Sequence, residues 1–201
     1  MSEVRRLQDR HLDPAAFARA YLDHVSGVLE RVDAASVAAV VQALDDARRR
    51  GATIYLLGNG GSAALASHLA SDLQGLPGAP AVRAWCLADS VAAVTARAND
   101  HGYAQVFSRQ LEGRVAAGDV VVAISSSGAS ENVLCAVDLA RAAGATTIGL
   151  SGFAGAPLAA RCDLSISLGA AAGDYGPVEG VHAVLCHLLA NGLAARHRTG
   201  P

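Results

Sequence analysis

Lysine is absent: all 16 basic side chains other than histidine are arginine. Aromatic residues are scarce at 4%, charged residues amount to 17%, and the formal net charge is −2. No long basic run occurs, which excludes nucleic-acid binding through a basic face. The four cysteines, Cys86, Cys135, Cys162 and Cys186, form no Cys-x-x-Cys pair. They read as buried thiols in a reducing, cytoplasmic compartment. The stretch Met1 to Arg10 alternates charges and has no apolar core, so it does not read as a signal peptide. No uninterrupted apolar run reaches the roughly 18 residues that a membrane span needs. What is abundant is apolar surface: 52% of residues are hydrophobic and mean hydropathy is +0.30. That is high for a soluble protein and implies surface buried between subunits.

The chain length suits one domain with a real core, residues 1–201, with helices over 1–50 and an α/β sandwich over 51–201. Asp13-Pro14 is a helix start: Asp caps free N–H groups, and Pro fits the first turn, where its missing N–H costs nothing. Helices are expected from Pro14 to Arg31 and, capped by Asp33 and ended by Gly51, from Ala34 to Arg50. Thr53 to Leu57 then reads as a short β-branched strand. It ends in Gly58-Asn59-Gly60-Gly61-Ser62 and is followed by a helix, Ala63 to Leu73. Further strands are expected at Ala81–Leu87, Asp119–Ile124, Thr146–Leu150 and Asp163–Leu168. Helices are expected at Ser90–Arg97, Tyr103–Ala116, Glu131–Ala143 and Val178–Arg196. Alternating strands and helices predict a doubly wound parallel sheet covered on both faces, with ligands at the carboxyl ends of the strands. The last helix carries Val181, Val184, Leu185, Leu188, Leu189 and Leu193 and has little polar face, which predicts burial against other subunits.

The loop Ser125-Ser126-Ser127-Gly128-Ala129-Ser130 follows a buried strand and opens a helix. Backbone N–H groups at a helix N-terminus are unpaired and partly positive. Serine hydroxyls add donors, and glycine lets the chain curl closely around an anion, with no cationic side chain required. Ser-rich turns also serve as ordinary caps. His68 and Asp72 stand four apart on a helix and face the same way, a spacing that suits two metal ligands, an acid–base pair or a plain surface ion pair.

Gly58 to Ser62, Ala98-Asn99-Asp100, and Ile124 to Val133 together resemble the SIS (sugar isomerase) family, in particular the phosphoheptose isomerases. The resemblance covers nearly the whole chain and implies the SIS-type α/β fold. It implies a sugar site lined by Asn59, Gly60, Gly61, Ser62, Asn99 and Asp100, with Glu179 beside them, and a phosphate held by Ser125, Ser126, Ser127 and Ser130. It implies a zinc site at His68, Asp72, Glu179 and His187, with Asp72 as catalytic base and His187 as the second catalytic residue. Without that pattern, Asn59, Asn99 and Asp100 read as turn residues. The implied activity is aldose–ketose isomerisation of a phosphosugar, sedoheptulose 7-phosphate to the manno-heptose 7-phosphate, by a cytoplasmic homotetramer with no nucleic-acid or membrane partner. Other readings are an isomerase of a different sugar phosphate, a non-catalytic phosphosugar sensor, or a protein associating with a replication initiator. Ionisable residues at all four metal or catalytic positions favour the enzyme.

Four departures from the family pattern stand out. Asp72 replaces a Glu and Glu179 a Gln. Leu76 stands where the family has a substrate-facing Arg, and Gly176 where it has an Asp, with Asp174 nearby. Glu179 and His187 are eight apart, about 12 Å along a regular helix. Either Glu179 precedes the regular turns, or the two serve different faces of an intersubunit site. His182 competes for a ligand role, against its reading as a hydrogen-bonded histidine at a packed interface.

Overall fold

The computed structural model describes residues 2–10, 12–78 and 80–197. Its centre is a five-stranded sheet in the order β2-β1-β3-β4-β5. The strands are β1 (Thr53–Gly58), β2 (Arg83–Cys86), β3 (Val120–Ser125), β4 (Thr146–Phe153) and β5 (Leu164–Ala170). Every pair is parallel, as the alternating pattern predicts. All six residues of β1 and all six of β3 are buried. Alternate side chains feed two cores: Ile54, Leu56, Val120, Val122 and Ile124 on one face, Tyr55, Leu57, Val121 and Ala123 on the other. A strand covered on both sides needs a continuous apolar run, which is why these segments read so clearly.

Helices α2 (Pro14–Leu29) and α3 (Ala34–Arg50) form as the capping residues predict. Asp13 accepts from the backbone N–H of Ala15 and Ala16, and Asp33 from those of Ala35 and Ser36. The first face also carries α4 (Gly61–Gln74) and α9 (Tyr175–Arg196), which pack on each other and on the sheet. The second face carries α7 (Glu131–Ala142) and the short α6 (Ser108–Leu111), which pack together. The remaining helices are α1 (Glu3–Asp9), α5 (Val91–His101) and α8 (Pro157–Arg161). At 22 residues α9 is long and apolar enough for a membrane span by composition, yet Val181, Leu185, Leu189 and Leu193 are buried in the chain's own core.

The structure departs from the sequence reading at several points, among them the following. The charged N-terminal stretch forms α1, capped by Ser2 and anchored by the buried Leu7. The helix expected over Tyr103–Ala116 is broken into a 3-10 turn, Tyr103–Gln105, and the four-residue α6. Gly102 at φ +80° turns the chain out of α5, and its left-handed backbone suits glycine alone. Finally, β4 runs on to Phe153, three residues beyond the expected end.

Candidate active site

The strand order reverses direction between β1 and β3, and in doubly wound sheets that switch point is where ligands bind. Both loops singled out in the sequence leave from it. A cavity of about 150 Å³ lies there, lined by Asn59, Ser62, Ser125, Ser126, Ser127, Ser130, Tyr175 and Glu179. The serine loop curls because Gly128 takes φ +61° and leaves no room for a side chain: a Cβ there would stand 2.5 Å from that of Ala156. Ser125 Oγ accepts from Gly128 N at 3.0 Å, and Ser127 Oγ accepts from Ala129 N at 3.2 Å. Each hydroxyl proton is then left over for a ligand. Ser130 is the N-cap of α7 but makes no side-chain capping bond. Ser126 Oγ is buried without a hydrogen-bond partner among the described residues. Such a group is costly unless something occupies the site, so the loop has donors in hand for an anion.

Asn59 lines the same cavity. Its amide exchanges two hydrogen bonds of 2.8 Å with Asn132, and Tyr103 donates its hydroxyl to the Asn59 carbonyl at 2.8 Å. Gly60 is the N-cap of α4. Gly61 packs against Glu179 so closely that a Cβ would stand 2.5 Å from Oε2. Tyr175 was not foreseen as a lining residue, nor Asn132 and Tyr103 as the partners of Asn59. Asn132 lies within the serine-loop motif and could have been read from it; the tyrosines carry no sequence signal. Asn99 and Asp100 are exposed at the end of α5 and bond to each other, and neither lines the cavity. Their expected place in the sugar site is not met within this chain, because they face solvent.

A second cluster stands farther along α4 and α9. Asp72 lies between two histidines: His68 Nε2 is 3.5 Å from Oδ1, and His187 Nδ1 is 3.4 Å from Oδ2. The imidazoles meet edge to face at 4.9 Å. Ligand atoms of all three residues lie within 4.8 Å of one another. These separations exceed good hydrogen bonds. Each is measured to a different carboxylate oxygen, and each is near the roughly 3.4 Å edge of a tetrahedron around a zinc ion bonded at about 2.1 Å. Two imidazoles and a carboxylate fit zinc chemically and leave a fourth position open. Glu179 is not in this group. It lies inside the regular turns of α9, two turns before His187, so it does not precede the helix, and it lines the serine cavity instead. Leu76 lines the hollow beside Asp72 and His187, so that hollow receives no arginine from this position.

Two neighbours prove structural. Asp174 is fully buried, accepts from Val4 N at 3.1 Å and pairs with His24 at 3.0 Å, and thereby ties α1 and α2 to the start of α9. His182 is fully buried, and neither ring nitrogen has a partner among the described residues. It lies in the chain's own core, beside the Ser151 backbone, and outside the His68–Asp72–His187 group. Burial pushes its pKa down to about 4, against an opposing effect of the Ser151 backbone. The unfolded chain therefore binds the proton first, and His182 costs stability as pH falls from about 6.5 toward 4.

A family model described as SIS domain matches residues 20–152. A phosphoheptose isomerase of Trichlorobacter lovleyi is 36% identical over 180 residues, covering 86% of this chain and 89% of that protein. Another, from Desulfovibrio desulfuricans, is 43% identical over 143 residues and covers 70% and 67%. The solved structure of a phosphoheptose isomerase from Neisseria gonorrhoeae aligns with TM-score 0.81 at 29% identity, covering 94% of this chain and 99% of that one. The fold is thus that of a SIS-domain protein. Within that class, the chain belongs to the phosphoheptose isomerase family and is an isomerase.

Proposed function

We propose that this enzyme interconverts sedoheptulose 7-phosphate and D-glycero-D-manno-heptose 7-phosphate, as a zinc-dependent homotetramer of the cytoplasm. One observation carries the reading. The paired helices α4 and α9 each place one residue at the serine cavity, Ser62 and Glu179, and both contribute to the second cluster, α4 with His68 and Asp72 and α9 with His187. A phosphosugar held by its phosphate in the first would extend its carbonyl end toward the second.

The proton movements follow from that placement. Asp72 takes a proton from C1 of the open-chain ketose while His187 gives one to the C2 oxygen. The result is an enediol. Asp72 then returns its proton to C2, and His187 recovers one from the C1 oxygen, which leaves the aldose. His187 turns Nδ1 to Asp72, so Nε2 is the atom that meets the substrate oxygen. Histidine suits this transfer because it titrates near neutral pH. Zinc, held by His68, Asp72 and His187, would supply positive charge beside the enediol oxygens. For Glu179 to complete the set, as the family resemblance implies, its carboxylate would have to leave Gly61. Free Cys86, Cys135, Cys162 and Cys186 accord with a reducing cytoplasm.

The test is direct. Zinc-loaded protein should convert sedoheptulose 7-phosphate to an aldose phosphate seen by NMR, and chelation should stop it. Tight binding without turnover would instead make the protein a phosphosugar sensor. The tetramer is supported by apolar side chains left exposed: Val184 at 46% and Leu188 at 43% on α9, and Leu22 at 65% on α2. Light scattering should give a mass four times that of the chain. A stable monomer at micromolar concentration would refute the assembly.

A further inference from the structure

Neither Asn132 nor Tyr103 is among the residues lining the serine cavity, yet both bond to Asn59, which is. Asn132 is buried in the first turn of α7, and its orientation is fixed from behind. The Val133 N–H, which can only donate, lies 3.0 Å from one end of the Asn132 carboxamide, so that end is the oxygen. The other end is then the NH2 group, and it faces the Asn59 side chain at 2.8 Å. A donor there needs an acceptor opposite, so Asn59 turns Oδ1 toward it. Asn59 Nδ2 correspondingly donates to Asn132 Oδ1 at 2.8 Å. Tyr103 brings a second donor to Asn59 Oδ1 at 2.8 Å. A phenol hydroxyl can donate or accept, so Tyr103 fills the oxygen without choosing its orientation.

A carboxamide has two acceptor positions on oxygen and two N–H donors. In Asn59 both acceptor positions and one donor are taken, and among the described residues nothing takes the remaining N–H. We infer that Asn132 is a positioning residue: it locks the Asn59 carboxamide so that Asn59 offers the phosphosugar one N–H and never its oxygen. This rests on the serine cavity being the phosphosugar site. Turned over, Asn59 would set N–H against N–H and oxygen against oxygen across the pair, and both bonds to Asn132 would be lost. An oxygen turned into the cavity would also repel the oxygens of a phosphosugar. The locked amide instead adds a donor to those of the serine loop. A donor held in place before the ligand arrives avoids the cost of ordering it on binding.

Calorimetry with sedoheptulose 7-phosphate tests this on wild type, Asn59→Ala, Asn132→Ala and the double variant. Asn132→Ala should weaken binding by about two- to tenfold, the weight of one ordinary hydrogen bond, and Asn59→Ala by as much or more. In the Asn59→Ala background, Asn132→Ala should cost nothing further, because Asn132 reaches the ligand only through Asn59. Additive losses would mean that Asn132 shapes the serine loop itself, and would overturn the inference while leaving the phosphosugar reading standing. Unchanged affinity in Asn132→Ala would do the same. NMR of the Asn59 side-chain amide in wild type gives a second readout that needs no variant to fold. On titration with sedoheptulose 7-phosphate, one Nδ2 proton should shift strongly while the other, bonded to Asn132, stays in place. Equal shifts of both protons, or of neither, would overturn the inference. Failure of wild type to bind the sugar phosphate would overturn the phosphosugar reading, and the inference with it.

Discussion

Replacing Asp72 by asparagine is expected to lower turnover of sedoheptulose 7-phosphate by about 10²–10⁴-fold, the usual weight of a general base. Affinity for the phosphosugar should hardly change. The two effects separate because the groups do separate work. The serine cavity does not include Asp72 or His187 among its lining residues, so it keeps its donors in the variant. The amide would retain the side-chain shape but could not accept the C1 proton. His187→Ala should lose a similar factor by removing the group that serves the oxygens. Zinc content must be measured alongside, because Asp72 and His187 both belong to the candidate ligand set. A variant that keeps its zinc and loses turnover has lost proton transfer; one that loses both has lost the ion. Near-full activity in both variants would remove this pair from the mechanism. Aspartate is one methylene shorter than the glutamate usual in the family, so Asp72→Glu offers a second test. If that reach limits the reaction, turnover rises. A fall would mean that the closely set His68–Asp72–His187 cluster, with its 3.5 and 3.4 Å separations, has no room for the extra methylene.

The central strands β1 and β3 were legible because they are buried on both faces, so each appears as an apolar run between turn residues. Helix starts were legible where a side chain does a defined job, as with Asp13 and Asp33. The interruption within Tyr103–Ala116 was not, because apolar spacing runs on through Val106 and Leu111 although the chain forms only a 3-10 turn and the four-residue α6. The N-terminal α1 was missed for a different reason. Its hold on the molecule is one buried leucine and a bond from Val4 N to Asp174, and a contact between residues 170 apart leaves no local pattern.

The site divides in the same way. Residues confined to one loop or one helix, such as the serines or the His68–Asp72 pair, carry their geometry in their spacing. His187 joins that pair only because α9 packs on α4, and here the family resemblance supplied what spacing could not. Tyr103 reaches Asn59 from 44 residues away, a contact that no local periodicity encodes. Glu179 stands roughly 12 Å along α9 from His187, as eight helical residues imply, and within one chain its carboxylate lies at the serine cavity.

Removing the Ser127 and Ser130 hydroxyls together is expected to weaken sedoheptulose 7-phosphate binding by about 10²–10⁴-fold. A hydrogen bond to a charged group is worth roughly 1.5–3 kcal/mol, and each factor of ten in affinity is about 1.4 kcal/mol. Stability should change little. Ser130 makes no capping bond, and Ser127 makes only a local one to Ala129 N. Ser126 gives the sharper contrast. Its hydroxyl is buried and unpartnered in the free protein, so deleting it removes a polar group that was already costing stability. Ser126→Ala should therefore match or exceed wild type in denaturant midpoint while binding the phosphosugar about tenfold or more weakly. That combination, a gain in the free protein and a loss in the complex, marks a hydroxyl kept for a ligand. A Ser126→Ala protein that is destabilised but binds normally would make the hydroxyl a structural element of the loop. Unchanged affinity in the Ser127→Ala, Ser130→Ala double variant would place the phosphate outside this loop altogether.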